Sequence, residues 1–320
     1  SDEEVEKLVR DTKQLQQYQE EPSAAEDLEK IPVLRREDIS REIAPIYNEV
    51  LDFDSTPVVY HEIETNGIGY VDLLFDLSGV SEEMLPYAGI LQAVLGIIDT
   101  NNYEYGELFN EINVHTGGIG TSLELYPNVE KVKEKEFKAT FEIKTKALYG
   151  KLPVAFCMMQ EILTESQLTD EKRLKEILSM AKSRLQMRFQ SSGHTTAALR
   201  AMSYASPLSK LKDLTSGIGY YEIVKQIEEH FEEEKDVLIK NLQTLTKLLT
   251  EPVQGQPCVI HCEKKNEGFK TSSKVQYVAR AGNFIDGGAS YTGALQILKV
   301  ILSYDYLWQN VRVKGGAYGC

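Results

Sequence analysis

Glu136-Phe-Lys-Ala-Thr-Phe-Glu-Ile-Lys-Thr-Lys146 alternates without a break. Phe137, Ala139, Phe141 and Ile143 fall on one side, and Lys138, Thr140, Glu142 and Lys144 on the other. A period of two over this length predicts a strand with one buried and one wet face, in an antiparallel sheet covered on one side. Working outward, a strand is expected at 120–126, and two more at 57–64 and 68–77. Asn66-Gly67 stands between the latter pair and predicts a tight hairpin. Apolar residues then recur at helical spacing. Ser81 to about Asp99, Tyr105–Asn113, Pro153–Thr164, Asp170–Gln190 and Glu222–Leu249 are expected to be helices. The acidic run Glu228–Asp236 is expected on the wet face of the last one. The fold class that follows is α+β: an antiparallel-rich sheet with helices packed on one face.

The segment before this unit is different. Residues 1–46 are polar and acidic, with Val5, Leu8, Leu15 and Tyr18 near helical spacing, a break at Pro22 and a short polar helix expected over 35–43. They read as an exposed helical linker. Ser1-Asp-Glu-Glu4 lacks the basic region and apolar stretch of a signal peptide, so no targeting is read from it.

After Glu251-Pro252 the pattern begins again. Strands are expected at 257–262 and 274–281, and a helix at 291–311. Tyr87-Ala-Gly-Ile-Leu-Gln92 matches Tyr291-Thr-Gly-Ala-Leu-Gln296, 204 residues on. Leu108-Phe109, Ile112, Gly117 and Gly120 match Leu307-Trp308, Val311, Gly316 and Gly319, 199 residues on. Two matches in the same order point to a duplicated domain whose second copy has a shorter internal loop. The copies differ where chemistry is concerned. Asn113 and Ile119 in the first stand where the second has Arg312 and Tyr318. That difference makes Arg312 and Tyr318, on the turn with Gly315 and Gly316, the candidate functional residues.

The net charge of −14 argues against nucleic-acid binding, which needs a basic surface, and favours cationic partners by long-range steering. No apolar run reaches the length of a membrane span. The four cysteines are too sparse for a disulfide framework and suit a reducing compartment. Cys258-Val-Ile-His261-Cys262 reads as a strand whose alternation puts His261 opposite both thiols, so no metal site is expected there. His61-Glu62 opens an H-E-x-x-H motif, but Thr65 occupies the place of its second His. His230 and Glu233 open the inverted form, but Glu234 replaces its last His. A catalytic zinc needs about three protein ligands, so neither serves. His115 and His194 read as surface residues. No nucleophile elbow or phosphate-binding loop appears; Gly217-Ile-Gly219 lacks a third Gly and a preceding strand.

Arg312-Val-Lys-Gly-Gly-Ala-Tyr-Gly319 resembles the Arg…Tyr motif in the C-terminal half of insulinase-type (pitrilysin) zinc peptidases, presequence protease subgroup. Ala289–Leu295 and Leu302–Trp308 resemble the same subgroup. Ile31–Leu34 with Asp38-Ile39 is similar to the end of the helical hairpin joining the two halves of such enzymes.

The resemblance implies a clamshell of four related domains. This chain would hold the end of the linker (1–46), a whole degenerate third domain (47–253) and the opening of the fourth (254–320). The zinc-binding catalytic half would be a missing partner, and the substrate a short peptide enclosed in a chamber. Zinc would belong to the intact enzyme, with no cofactor bound by this chain. Arg312 and Tyr318 would bind substrate and stabilise the oxyanion, and the chain alone would be inactive. A noncatalytic peptide-binding subunit of the same fold, or a structural interaction protein, are the alternatives. The expected location is a reducing soluble compartment, bacterial cytoplasm or mitochondrial matrix.

Overall fold

The computed structural model describes the chain except residues 1, 21–23, 43–44, 55, 132, 251–259, 273 and 320. It divides into two compact units, Ser1–Glu64 and Thr65–Cys320.

The first unit opens with helix α1 (Asp2–Glu20), then a one-turn helix α2 (Ala25–Leu28) and a 3-10 turn at Arg36–Asp38. The helix expected over 35–43 is only that turn, held by Asp38, whose carboxylate accepts from the Arg35 N–H at 2.8 Å. So short a polar segment, with every described residue exposed, has too little burial to extend a helix. Strands β1 (Glu49–Phe53) and β2 (Thr56–Tyr60) form an antiparallel hairpin, Glu49 facing Tyr60. This corrects the expected pairing of 57–64 with 68–77. Asn66 (φ 52°) and Gly67 (φ 81°) do make a tight turn, closed by Ile68 N–H donating to Thr65 O, but the turn does not join two paired strands. Pro57 lacks an N–H, which suits β2 to a two-stranded ribbon rather than to a sheet interior.

The second unit carries the core. Strands β3 (Ile68–Asp76), β4 (Ile119–Pro127) and β5 (Phe137–Leu148) make an antiparallel sheet in the order β3-β5-β4. Leu73 faces Ile143, and Leu123 faces Phe141. The inner face, centred on Phe141 and Ile143, is covered by helices, among them α3 (Leu85–Val94), α5 (Leu152–Thr164), α6 (Glu171–Ser191) and α10 (Phe231–Thr250). Burying a side chain such as Phe141 contributes about 2–3 kcal/mol. Helix α4 is Tyr105–His115, α7 Gly193–Ser203, α8 Pro207–Ser216 and α9 Ile218–Glu229. The chain is therefore mixed helix and antiparallel sheet.

Three expectations change here. Helix α3 stops at Val94 because Leu95 turns to extended backbone (φ −62°, ψ 130°). The long helix expected over 222–249 is two, α9 and α10, broken at His230 (φ −116°, ψ 39°), and Phe231 just beyond the break is buried. The wet face of β5 is not wet at its centre: Thr140 and Glu142 are buried. Tyr126 of β4 and Thr140 and Lys144 of β5 itself close over Glu142.

Beyond residue 259 the segment 274–281, expected as a strand, forms none, and Val278 is 95% exposed. Only residues 260–262 of the strand expected at 257–262 are described, and they form no strand, the His261 N–H donating instead to the Glu82 carboxylate at 3.0 Å; Cys258 lies outside the described residues. A strand is completed by a neighbour's hydrogen bonds, which alternation cannot supply. Helix α11 (Ala294–Ile301) follows and runs directly into a wide, π-type helix, Leu302–Lys314.

Candidate functional site

The turn that ends the wide helix is built by its backbone. Gly316 sits at φ 71°, where an L side chain is strained, and its N–H donates to Arg312 O at 2.9 Å. Ala317 N–H donates to Val311 O at 3.2 Å. A Cβ on Gly315 would stand 2.5 Å from Val311 O, so the chain can fold back there only without a side chain. The motif's two glycines are thus both needed by local geometry.

Arg312 and Lys314 lie in the last turn of this helix, where a cation meets the negative end of the helix dipole. The Arg312 guanidinium stacks on the Trp308 ring, 4.1 Å from its centroid, an arrangement worth about 0.5–1 kcal/mol at an exposed site. The stack fixes the direction of the fork while leaving its N–H donors open. Tyr318 is 91% exposed. Among the described residues neither side chain makes a hydrogen bond or ion pair, with each other or with a third group. The structure therefore presents the two donors on one turn, six residues apart, without joining them. The Trp308 stack was missed from sequence, although Trp308 is the chain's single tryptophan, four residues ahead of Arg312.

The rejected metal motifs do not converge on a metal site. His61 Nδ1 lies 3.2 Å from Tyr47 O, and His230 Nδ1 is 3.8 Å from Glu233 with both exposed. His115 is partly buried rather than on the surface, between Glu111 and Lys151. His194 stands on α7, tilted against Tyr277. Among the described residues no three His, Cys, Asp or Glu side chains are grouped to hold a metal ion.

Two buried charged clusters escaped the sequence reading. Gly217-Ile-Gly219 is the start of α9, and its open N–H groups receive a protein carboxylate: Asp213 accepts from Ile218 N–H at 3.0 Å and Gly219 N–H at 3.2 Å. Asp213 is fully buried and pairs at 2.6 Å with Arg200, whose other side forks onto Glu267 at 2.7 and 3.1 Å. Burial works against the Arg200 charge, but Glu267 and Asp213 outweigh it and hold Arg200 protonated.

The second cluster lies on the outer sheet face. Glu142 accepts from Tyr126 Oη and Thr140 Oγ1, both at 2.6 Å. Lys144 Nζ approaches its other oxygen at 2.7 Å, as an ion pair outside good hydrogen-bond direction. Burial raises the Glu142 pKa, but Lys144, Thr140 and Tyr126 together lower it below the usual carboxylate range. The Glu142 hydrogen bond pushes Tyr126 up to about 12. The signal available in sequence was a lone Glu between alternating lysines, which reads as solvated.

Two family models match the chain. Residues 1–227 match the associated domain of C-subfamily insulinase-type peptidases, and residues 266–320 match the "PreP C-terminal domain". The chain belongs to the insulinase-type family of peptidases. Within it the chain sides with the presequence proteases, and the turn falls in the part matched as their C-terminal domain. It is 33% identical to "Protein HypA" of Clostridium perfringens, over 98% of this chain and 35% of that protein. It is 26% identical to presequence protease 1, chloroplastic/mitochondrial, of Arabidopsis thaliana, over 100% and 32%. It is also 26% identical to the mitochondrial presequence protease of Yarrowia lipolytica, over 95% and 34%. The chain spans about a third of the length of these relatives.

Proposed function

We propose that this chain is the substrate-side, non-metal-binding portion of a zinc-dependent oligopeptidase that degrades short peptides in a closed chamber. Its partner is the catalytic half, absent from these residues. Arg312 and Tyr318 bind the peptide and stabilise the oxyanion of the tetrahedral intermediate. The observation that carries this reading is the Arg312–Tyr318 turn: two open donors on a backbone that Gly315 and Gly316 alone allow, within the region matched as the C-terminal domain of presequence proteases. Arg312 contributes a permanent cation with a planar fork, and Tyr318 a phenolic O–H. A donor aimed at a developing oxyanion is worth about 100- to 1,000-fold in rate.

The domain reading is part of the same proposal: linker 1–46, third domain 47–253, opening of the fourth 254–320. The location is a reducing, soluble compartment. It is supported by the mitochondrial and chloroplast relatives, by the unpaired thiols of Cys157 and Cys262, and by the lack of a helix long and apolar enough to cross a membrane among the described residues.

The test is hydrolysis of a quenched fluorescent peptide. The chain alone should be inactive with or without added zinc; robust chelator-sensitive turnover would defeat that claim. In the longer protein, Arg312→Ala and Tyr318→Phe should each lower turnover at least about tenfold. Unchanged rates in both would remove the assigned role and favour a peptide-binding subunit.

A further inference from the structure

A cleft of about 1970 Å³ lies between the helical body and the chain from Cys262 to Gly287. One wall comes from α6, α7 and α9. Phe189 and Tyr221 stand in it edge to face, ring centroids 5.2 Å apart. Phe269 projects from the opposite wall. Three polar ties hold that wall in place. Glu267 takes the Arg200 fork, Ser272 accepts from Gln190 Nε2 at 2.8 Å, and Asp286 pairs with Lys135 at 3.0 Å. The walls are thus spaced by polar bonds; Phe189 and Tyr221 pack partly against the core, and Phe269 is half exposed with the Arg200 guanidinium 5.8 Å from its ring centroid. The volume exceeds the roughly 300–1,000 Å³ typical of small-molecule pockets and suits an extended chain.

The charge of the cleft opposes that of the molecule. Seven basic residues line it against three acidic ones, in a chain of net charge −14. Arg200 and Lys135 are engaged in the ties, as are Glu267 and Asp286. Lys225, Lys264, Lys270 and Arg280 have no carboxylate partner among the described residues.

We infer that this cleft binds an extended acidic peptide segment, its carboxylates on Lys225, Lys264, Lys270 and Arg280 and its apolar side chains on Phe189, Tyr221 and Phe269. A nucleic acid is the weaker occupant on physical grounds. A nucleic acid longer than the cleft would carry phosphates out over the acidic remainder of the chain, whereas a short peptide can keep all its carboxylates inside the cleft, within a Debye length of its lysines. The cleft shares no lining residue with the Arg312–Gly319 turn, so the inference stands apart from the proposed role of that turn.

The test uses the 320-residue chain and fluorescence anisotropy. Three labelled probes of equal length are compared: a peptide alternating Glu with Phe and Leu, the same peptide with Lys for every Glu, and a single-stranded oligouridine. The acidic peptide should bind, the other two should not, and binding should weaken as salt rises from about 0.05 to 0.3 M. Lys264→Glu combined with Lys270→Glu should weaken it at least roughly tenfold. Both lysines are exposed, so the melting curve should not move. Phe269→Ala should weaken binding without changing its salt dependence. No binding of the acidic peptide, equal binding of the basic one, tighter binding of the oligouridine, or full binding by the double variant would each overturn the inference.

Discussion

The pattern Tyr-x-Gly-x-Leu-Gln lies inside α3 and runs into the start of α11, in opposite environments. Around α3, Tyr87 is partly buried, Leu91 is fully buried, and a Cβ on Gly89 would stand 2.5 Å from the Thr215 carbonyl. Gln92 and Thr121 tie the helix to β4, and Tyr220 donates to Gly89 O at 3.1 Å. Around α11 the same positions meet almost nothing. Gly293 has no atom within 4 Å of an added Cβ, Tyr291 is half exposed, and the Gln296 side chain donates to Tyr291, five residues away. After α3 the chain leaves the helix for a loop, pinned where Arg173 donates to Ile97 O and stacks on Tyr105. After α11 the helix widens and continues to Lys314. One pattern yields a helix twice, but its apolar face becomes core only where a sheet and neighbouring helices stand against it.

The largest test of that contrast is the glycine pair. Gly89→Ala drives a methyl into backbone that cannot yield, and should destabilise by about 3 kcal/mol. Gly293→Ala should change stability by no more than about 0.5 kcal/mol. Paired thermal melts measure both, and equal shifts would break the contrast. The leucine pair comes next. Leu91→Ala leaves a cavity and should cost about 2–5 kcal/mol, whereas Leu295→Ala should cost under about 1 kcal/mol. A costly Leu295→Ala would mean that the exposed helix is packed in solution.

A smaller effect sharpens the difference between the sheets' neighbourhoods. The folded pKa of Glu142 is lowered, so its contribution to stability is present above the ordinary carboxylate value of 4.5 and fades as pH falls through the folded value. Glu142→Gln should flatten the acid limb of the stability curve below that point. Tyr126 behaves in the opposite sense: its pKa is raised, so stability is lost as pH rises from 10 toward 12. Tyr126→Phe should remove that alkaline loss. Urea unfolding across pH checks both. The smallest effect belongs to the turn. Trp308 is the single tryptophan, so tryptophan emission reports on this one ring, over which Arg312 stacks. Arg312→Gln should shift Trp308 fluorescence while lowering stability by at most about 1 kcal/mol. An unaltered spectrum would dissolve the stack.

Much of this molecule is legible in its residues because the relevant physics is local. The alternation from Phe137 set β5, and the apolar stripe from Leu174 to Leu185 set α6. The pairing of strands was less so. Asn66-Gly67 has the chemistry of a hairpin turn, yet β3 pairs with a strand some 70 residues away because the Phe141 and Ile143 face gives it a core. Helices α7 and α8 were missed, although Ser206-Pro207 is a helix-start signature and Ser206 accepts from Ser209 N–H. At the candidate site, Arg312, Tyr318 and their glycines stood out by comparing one copy of the pattern with the other. Asp213 and Glu142 did not, since a buried carboxylate and a solvated one read alike until its partners are known.

The sequence by itself determined the helix and strand periods, the family motif, and the residues that distinguish the terminal turn. Those features depend on neighbours a few positions along the chain. Only the tertiary structure decided which copy of the pattern is buried, which strand pairs with which, and where charge gathers against the net sign. Those outcomes depend on groups far apart in sequence and adjacent in space.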